Sequence, residues 1–135
     1  MDLVSEEIIA MEKAALTRWG NGDQAGFLEI TDPEVVYFDP YLPSRIDGLE
    51  ALTDYYRNNV WGKVHVDRFE LLNPSVLVLR DLAVLTFTYI SFQGEQPDRW
   101  NCTEVYRRKK GSWKIIQSHW SYTEVFKNKI HNYNT

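Results

Sequence analysis

The chain has 135 residues, 44% of them hydrophobic, and a formal net charge of −4. That length and apolar content suffice for one domain with a core that needs no staples, and the acidic balance leaves no basic surplus to neutralise phosphates, which argues against a nucleic-acid partner. Cys102 is the sole cysteine, so no intramolecular disulfide forms. The acidic start from Met1 to Glu7 lacks a signal layout, and no run of about 18 apolar residues occurs, so the expectation is a cytoplasmic protein without a membrane partner.

Ile8, Met11, Ala15 and Trp19 recur at three- and four-residue spacing from Ser5 onward, which predicts an amphipathic helix stopped at Gly20-Asn21-Gly22. Asp23 is placed to cap a second, short helix carrying Phe27, Leu28 and Ile30, and Thr31-Asp32-Pro33 breaks the chain. Val35 to Asp39 is β-branched and aromatic and ends at Pro40, which suits a strand. A third helix is expected from Leu49 to Asn59, burying Leu52, Tyr55 and Tyr56.

After Trp61 the sequence reads as antiparallel strands parted by turns at Asn73-Pro74, Arg80-Asp81, Gly94 to Asp98 and Lys110-Gly111. The apolar phase shifts between Val64/Val66 and Phe69/Leu71, as a β-bulge would produce. Leu82 to Ile90 is apolar on both parities, and a second subunit is the simplest cover for its outer side. The chain therefore reads as a single domain over residues 1–135, with its core at about 5–124 and an extension at 125–135.

Helix, short helix, strand, helix and then long antiparallel strands is an order that resembles the nuclear transport factor 2-like superfamily. The stretch Thr103 to Arg108, the turn at 109–112 and Trp113-Lys114-Ile115-Ile116-Gln117-Ser118-His119-Trp120-Ser121 look like that family's closing hairpin. Gly22-Asp23, Tyr37-Phe38-Asp39-Pro40, Arg45, Gly48 and Tyr55-Tyr56 fit the same template. Within the superfamily the chain is most similar to the SnoaL-like, ketosteroid-isomerase-like and calcium/calmodulin-kinase association-domain branches. The resemblance implies an α+β fold, a cone-shaped curved antiparallel sheet wrapped around the N-terminal helices with an internal pocket. The chain departs from its relatives at Gln117, where they often carry a second His, which argues against a mechanism built on two imidazoles.

Several residues are placed to carry chemistry. Tyr37 and Asp39 share a parity, so a phenol and a carboxylate point the same way, as a proton donor and a general base would need; an Asp before Pro is equally a turn residue. Strict alternation puts Gln117, His119 and Ser121 on one face, which the resemblance turns inward; His119 serves as proton donor there, or only braces the sheet. Arg45 is a candidate clamp for a ligand anion, or a loop partner of Asp47. Trp61 is a candidate for the pocket rim, and Tyr55 for its wall. On the penultimate strand Trp100 and Glu104 share one parity and Thr103 sits on the other, and which side faces inward stays open. Scattered His65, His119 and His131 and the lone Cys102 give no metal pattern, no nucleophile signature and no phosphate loop, so no metal and no cofactor is expected.

Two functions fit. The first is a cofactor-independent acid/base enzyme of the isomerase, cyclase or dehydratase type, with Asp39 as base and His119 or Tyr37 as donor. The second is a non-catalytic module that binds a small organic ligand or assembles as a homodimer.

Overall fold

The computed structural model describes residues 2–123, and the extension expected at 125–135 lies outside them. Three helices come first in the chain, α1 (Leu3–Gly20), α2 (Ala25–Glu29) and α3 (Leu49–Asn59), the last two separated by strands β1 (Thr31–Phe38) and β2 (Ile46–Asp47). Four long strands follow, β3 (Arg68–Leu79), β4 (Leu82–Gln93), β5 (Gln96–Lys109) and β6 (Ser112–Tyr122). They form one six-stranded curved sheet in the order β2-β1-β6-β5-β4-β3, with β1 parallel to β6 and every other pair antiparallel. This is the expected α+β architecture, a sheet wrapped on the N-terminal helices. Among the described residues no helix is long and apolar enough to cross a membrane.

Local chemistry sets the boundaries. Asp2 caps α1, its carboxylate accepting from the Ser5 amide (2.8 Å) and hydroxyl (3.0 Å). Asp23 does not cap α2: Gln24 holds that position without a side-chain bond, and Asp23 is paired with Arg18, which also grips Glu29. Gly48, at φ 97°, makes the bend into α3 in a conformation that would strain a side chain, and its amide donates to the Val35 carbonyl at 2.7 Å.

Two irregularities decide which side chains face inward. Asn73-Pro74 is not a turn: β3 runs through it, with Asn73 at φ 51° and the register against β4 shifting between Leu72 and Ser75. The phase change between Val64/Val66 and Phe69/Leu71 arises because residues 64–66 precede the strand. The second irregularity lies in β6, where Gln117 pairs with Val105 and Ile115 with Tyr106, leaving Ile116 as an extra residue. A one-residue slip exchanges the two faces of a strand. Trp113 and Ile115 face the core before the bulge; Ser118 and Trp120 do so after it.

The core joins Ile8, Ala15 and Leu16 of α1 and Leu52 and Tyr56 of α3 to Ala83, Leu85, Phe87 and Tyr89 of β4 and to Cys102 and Tyr106 of β5. The opposite side of β4 is mixed: Thr86 is exposed, Val84 and Thr88 half-buried and Ile90 buried.

Candidate functional site

The helices and the inner face of the sheet enclose a cavity of about 300 Å³, whose walls include Trp19, Tyr37, Asp39, Tyr55, Trp100, Glu104, Ser118 and Trp120. Its size falls at the lower end of ligand pockets. Tyr89, Trp120 and Trp100 stand nearly perpendicular in series, at 5.9 Å (83°) and 6.4 Å (83°) between ring centroids. Tyr41 stands across Trp100 at 6.1 Å.

Asp39 follows the last residue of β1 and gathers three donors. Its Oδ2 accepts from the hydroxyls of Tyr37 (2.9 Å) and Tyr55 (2.7 Å), and its Oδ1 accepts from the Tyr41 amide (2.8 Å). Asp39 thus takes the turn role that the sequence offers, through the Tyr41 amide, and at the same time lines the cavity. Burial, followed by the nearby Tyr56 and Asp39, pushes the Tyr37 phenol well above its ordinary value of 10. Burial and the hydrogen bond to Asp39 raise Tyr55 as well. Both phenols stay protonated and hold Asp39 as donors.

On β5, Glu104 lines the cavity and is 1% exposed; Glu12 of α1 lies beside it at 0%. The Ser118 hydroxyl donates to Glu104 Oε2 and the Tyr106 hydroxyl to Glu12 Oε1, both at 2.7 Å. Trp120 Nε1 donates to Ser118 Oγ at 3.1 Å, completing a buried chain. The remaining oxygens, Glu12 Oε2 and Glu104 Oε1, receive no donor from any hydroxyl, amide or cation. Burial raises both carboxyl groups, and each faces the other across the pair. Two carboxyl groups so placed cannot both ionise, and one proton held between Glu12 and Glu104 satisfies both bare oxygens.

Of the side chains singled out in the sequence, Tyr37, Asp39, Tyr55, Trp100 and Glu104 meet at the cavity. Gln117, His119 and Ser121 do not: the Ile116 bulge reverses their face, all three are exposed, and the His119 ring rests 4.9 Å from Phe38 instead. Thr103 pairs with His119 on that same exposed face. Arg45 is no clamp at this cavity, because its guanidinium is bonded to Asp47 at 2.6 Å in the exposed loop. Trp61 is 40% exposed, lies outside the cavity wall, and carries Arg57 over its ring at 5.6 Å.

Sequence reasoning passed over Glu12, Ser118, Trp120 and Tyr89. Glu12 did leave a signal: it stands four residues from both Ile8 and Leu16, in the middle of a buried stripe, where an acid is out of place unless partnered. Cys102 is buried, and burial pushes its thiol well above 9.0, away from the reactive thiolate. Among the described residues no group of three or more His, Cys, Asp or Glu side chains is placed to hold a metal ion.

Residues 4–124 match the family model of the calcium/calmodulin-dependent protein kinase II association domain. The chain belongs to this family. Association domains share the nuclear transport factor 2-like fold, and the solved structures similar to this chain sample its breadth. A ketosteroid isomerase candidate from Parabacteroides distasonis is 42% identical over 93% of this chain and 92% of its own, with a TM-score of 0.84. The calcium/calmodulin-dependent protein kinase II hub of S. rosetta is 20% identical over 87% and 95%, with a TM-score of 0.70. A dehydratase candidate of the nuclear transport factor 2-like family from Streptomyces avermitilis is 21% identical over 87% and 94%, with a TM-score of 0.70. The last two likenesses concern the fold alone.

Proposed function

We propose that the chain is a cofactor-independent acid/base catalyst of the isomerase or dehydratase type, acting on a small organic ligand in the cavity. Asp39 accepts a proton from the ligand, Tyr37 and Tyr55 hold it in place, and Glu104 returns a proton shared with Glu12. The observation that carries this reading is the presence, in one cavity, of Asp39 bonded by three donors and of Glu104, a second carboxyl buried beside Glu12 with one oxygen that receives no donor. Carboxyl groups in such contrasting environments divide naturally into base and acid. Asp39 lies beyond the end of β1, and β1 and β5 are separated only by β6, so their backbones run roughly 10 Å apart, a span a small ligand can bridge. The likeness to a ketosteroid isomerase candidate at 42% identity supports the same class.

The proton balance is simple. A C–H bond of the ligand breaks toward Asp39; a new bond to hydrogen forms from Glu104 elsewhere on the ligand, or a hydroxyl protonated by Glu104 leaves as water. Asp39 then gives its proton to solvent, and the Glu12–Glu104 pair takes one back. The test is proton NMR in D2O with a panel of unsaturated and β-hydroxy carbonyl compounds, following deuterium uptake and water loss. Asp39→Asn should lower the rate by about 10²–10⁴-fold. An unchanged rate in a folded Asp39→Asn protein overturns the assignment.

A second reading, compatible with the first, is assembly as a homodimer through the outer face of the sheet. Leu77, Leu79 and Leu82 are 70%, 69% and 40% exposed, and cross-strand pairing puts Leu77 beside Val84 and Leu79 beside Leu82. Such an exposed apolar patch is what a second subunit covers. Sedimentation at micromolar concentration tests it, and a strictly monomeric species removes it.

A further inference from the structure

We infer that the cavity selects ligands bearing a cationic nitrogen, an inference that names the substrate class for the site proposed above and rests on that reading of the cavity. Asp39 and Asp98 line it, Glu104 adds a carboxyl that shares its proton with Glu12, and among the described residues no lysine or arginine lines it. Its one imidazole, His65, is already engaged with Asp67 at 2.7 Å. An anionic ligand entering here would meet Asp39 with no opposing charge, and a buried charge without a partner is costly. A cation would meet a carboxylate already held in position by Tyr37, Tyr55 and the Tyr41 amide.

The walls point the same way. Tyr89, Trp120 and Trp100 are set nearly edge to face, with Tyr41 and Tyr55 on the side of Asp39. Aromatic side chains lining a cavity beside a carboxylate can add cation–π attraction to the ion pair that an alkylammonium group makes there. A second group of the ligand can be held as well. The Tyr89 hydroxyl, on a side chain 5% exposed in the cavity wall, lies beside the Ser91 side chain, which also lines the cavity. These two hydroxyls can donate to or accept from a ligand oxygen or nitrogen that enters the cavity. The ligand class is therefore a small, partly aromatic or aliphatic amine or quaternary ammonium compound with one further polar atom.

The experiment uses the full chain and two probes of similar size and opposite charge, benzyltrimethylammonium and 3-phenylpropionate, titrated by calorimetry and by quenching of tryptophan fluorescence. Benzyltrimethylammonium should bind at least tenfold more tightly, and Asp39→Asn should narrow that gap at least fivefold without weakening 3-phenylpropionate. Equal or tighter binding of the anion, or no binding of either probe at millimolar concentration, overturns the inference, and so does a gap unchanged in folded Asp39→Asn. The wild-type comparison alone decides the matter if that variant does not fold. Failure here is distinct from failure of the catalytic reading. Charge preference with Asp39-independent turnover leaves a cation-binding pocket that is not the proposed enzyme, whereas Asp39-dependent turnover with no charge preference leaves the enzyme and removes the ligand class.

Discussion

Glu12 on α1 and Glu104 on β5 meet inside the fold as a carboxyl pair, each bonded on one oxygen by a hydroxyl and each bare on the other. Both are held above the ordinary value of 4.5, so above that pH the folded state binds more protons than the unfolded state. The pair's stabilising effect is therefore complete below the unfolded value and declines as pH rises through the folded values. Urea midpoints should fall as pH rises above the ordinary value of 4.5. Glu12→Gln keeps an acceptor for Tyr106 and puts an N–H donor in place of the shared proton, so it should flatten this slope; Glu12→Ala should cost roughly 2–4 kcal/mol by stranding Tyr106 and leaving a void. A slope that Glu12→Gln leaves unchanged would show that the pair does not carry the proton.

The phenols provide an independent check. Burial raises Tyr37, Tyr56 and Tyr106, and Tyr89 is pushed up to about 12. Tyr41 and Tyr55 are raised as well. Absorbance at 295 nm followed from about pH 8 to about pH 12 should thus record the ionisation near pH 10 of no more than two of the eight tyrosines until the chain unfolds. Ionisation of four or more there would mean that the cavity walls are wetter than their burial indicates.

Ser118 and His119 are neighbours with opposite fates. Ser118 is 4% exposed and ties Glu104 to Trp120, so Ser118→Ala should cost about 1–3 kcal/mol and lower turnover. His119 is exposed and touches Phe38, so His119→Ala should change stability by no more than about 0.5 kcal/mol and leave ligand binding alone. Denaturation midpoints and probe titrations of the two variants check this, and the reverse ranking would place His119 back in the chemistry.

That contrast also explains what could be read before the structure. Strong periodicity carried the helices: α3 is observed at Leu49–Asn59, where its apolar spacing puts it. Tyr37 and Asp39 were legible because β1 is regular near its end. The face of β6 was not, since one extra residue at Ile116 reverses every position after it, and Ile116 is an ordinary strand residue with nothing in its chemistry to mark a bulge. The Glu12–Glu104 pair was half legible. Glu104 stands on one of two faces between which the sequence does not choose, and Glu12 is marked only by its place in an apolar stripe. Their meeting depends on how α1 packs over β5, a contact across 92 positions that no local pattern encodes.

The outer apolar patch gives the last prediction. Leu77 and Leu79 project from β3 into solvent beside Val84 and Leu82. They contribute little to the core, so Leu77→Lys with Leu79→Lys should alter the unfolding free energy of the subunit by no more than about 1 kcal/mol. If the patch is the dimer surface, each lysine introduced there must desolvate its charge against an apolar partner, which is costly without a counter-charge. The doubly substituted protein should sediment as a monomer at concentrations where the unaltered chain is dimeric. Its circular dichroism and its affinity for the cavity probes should be unchanged. A dimer that survives both substitutions would move the interface to another surface.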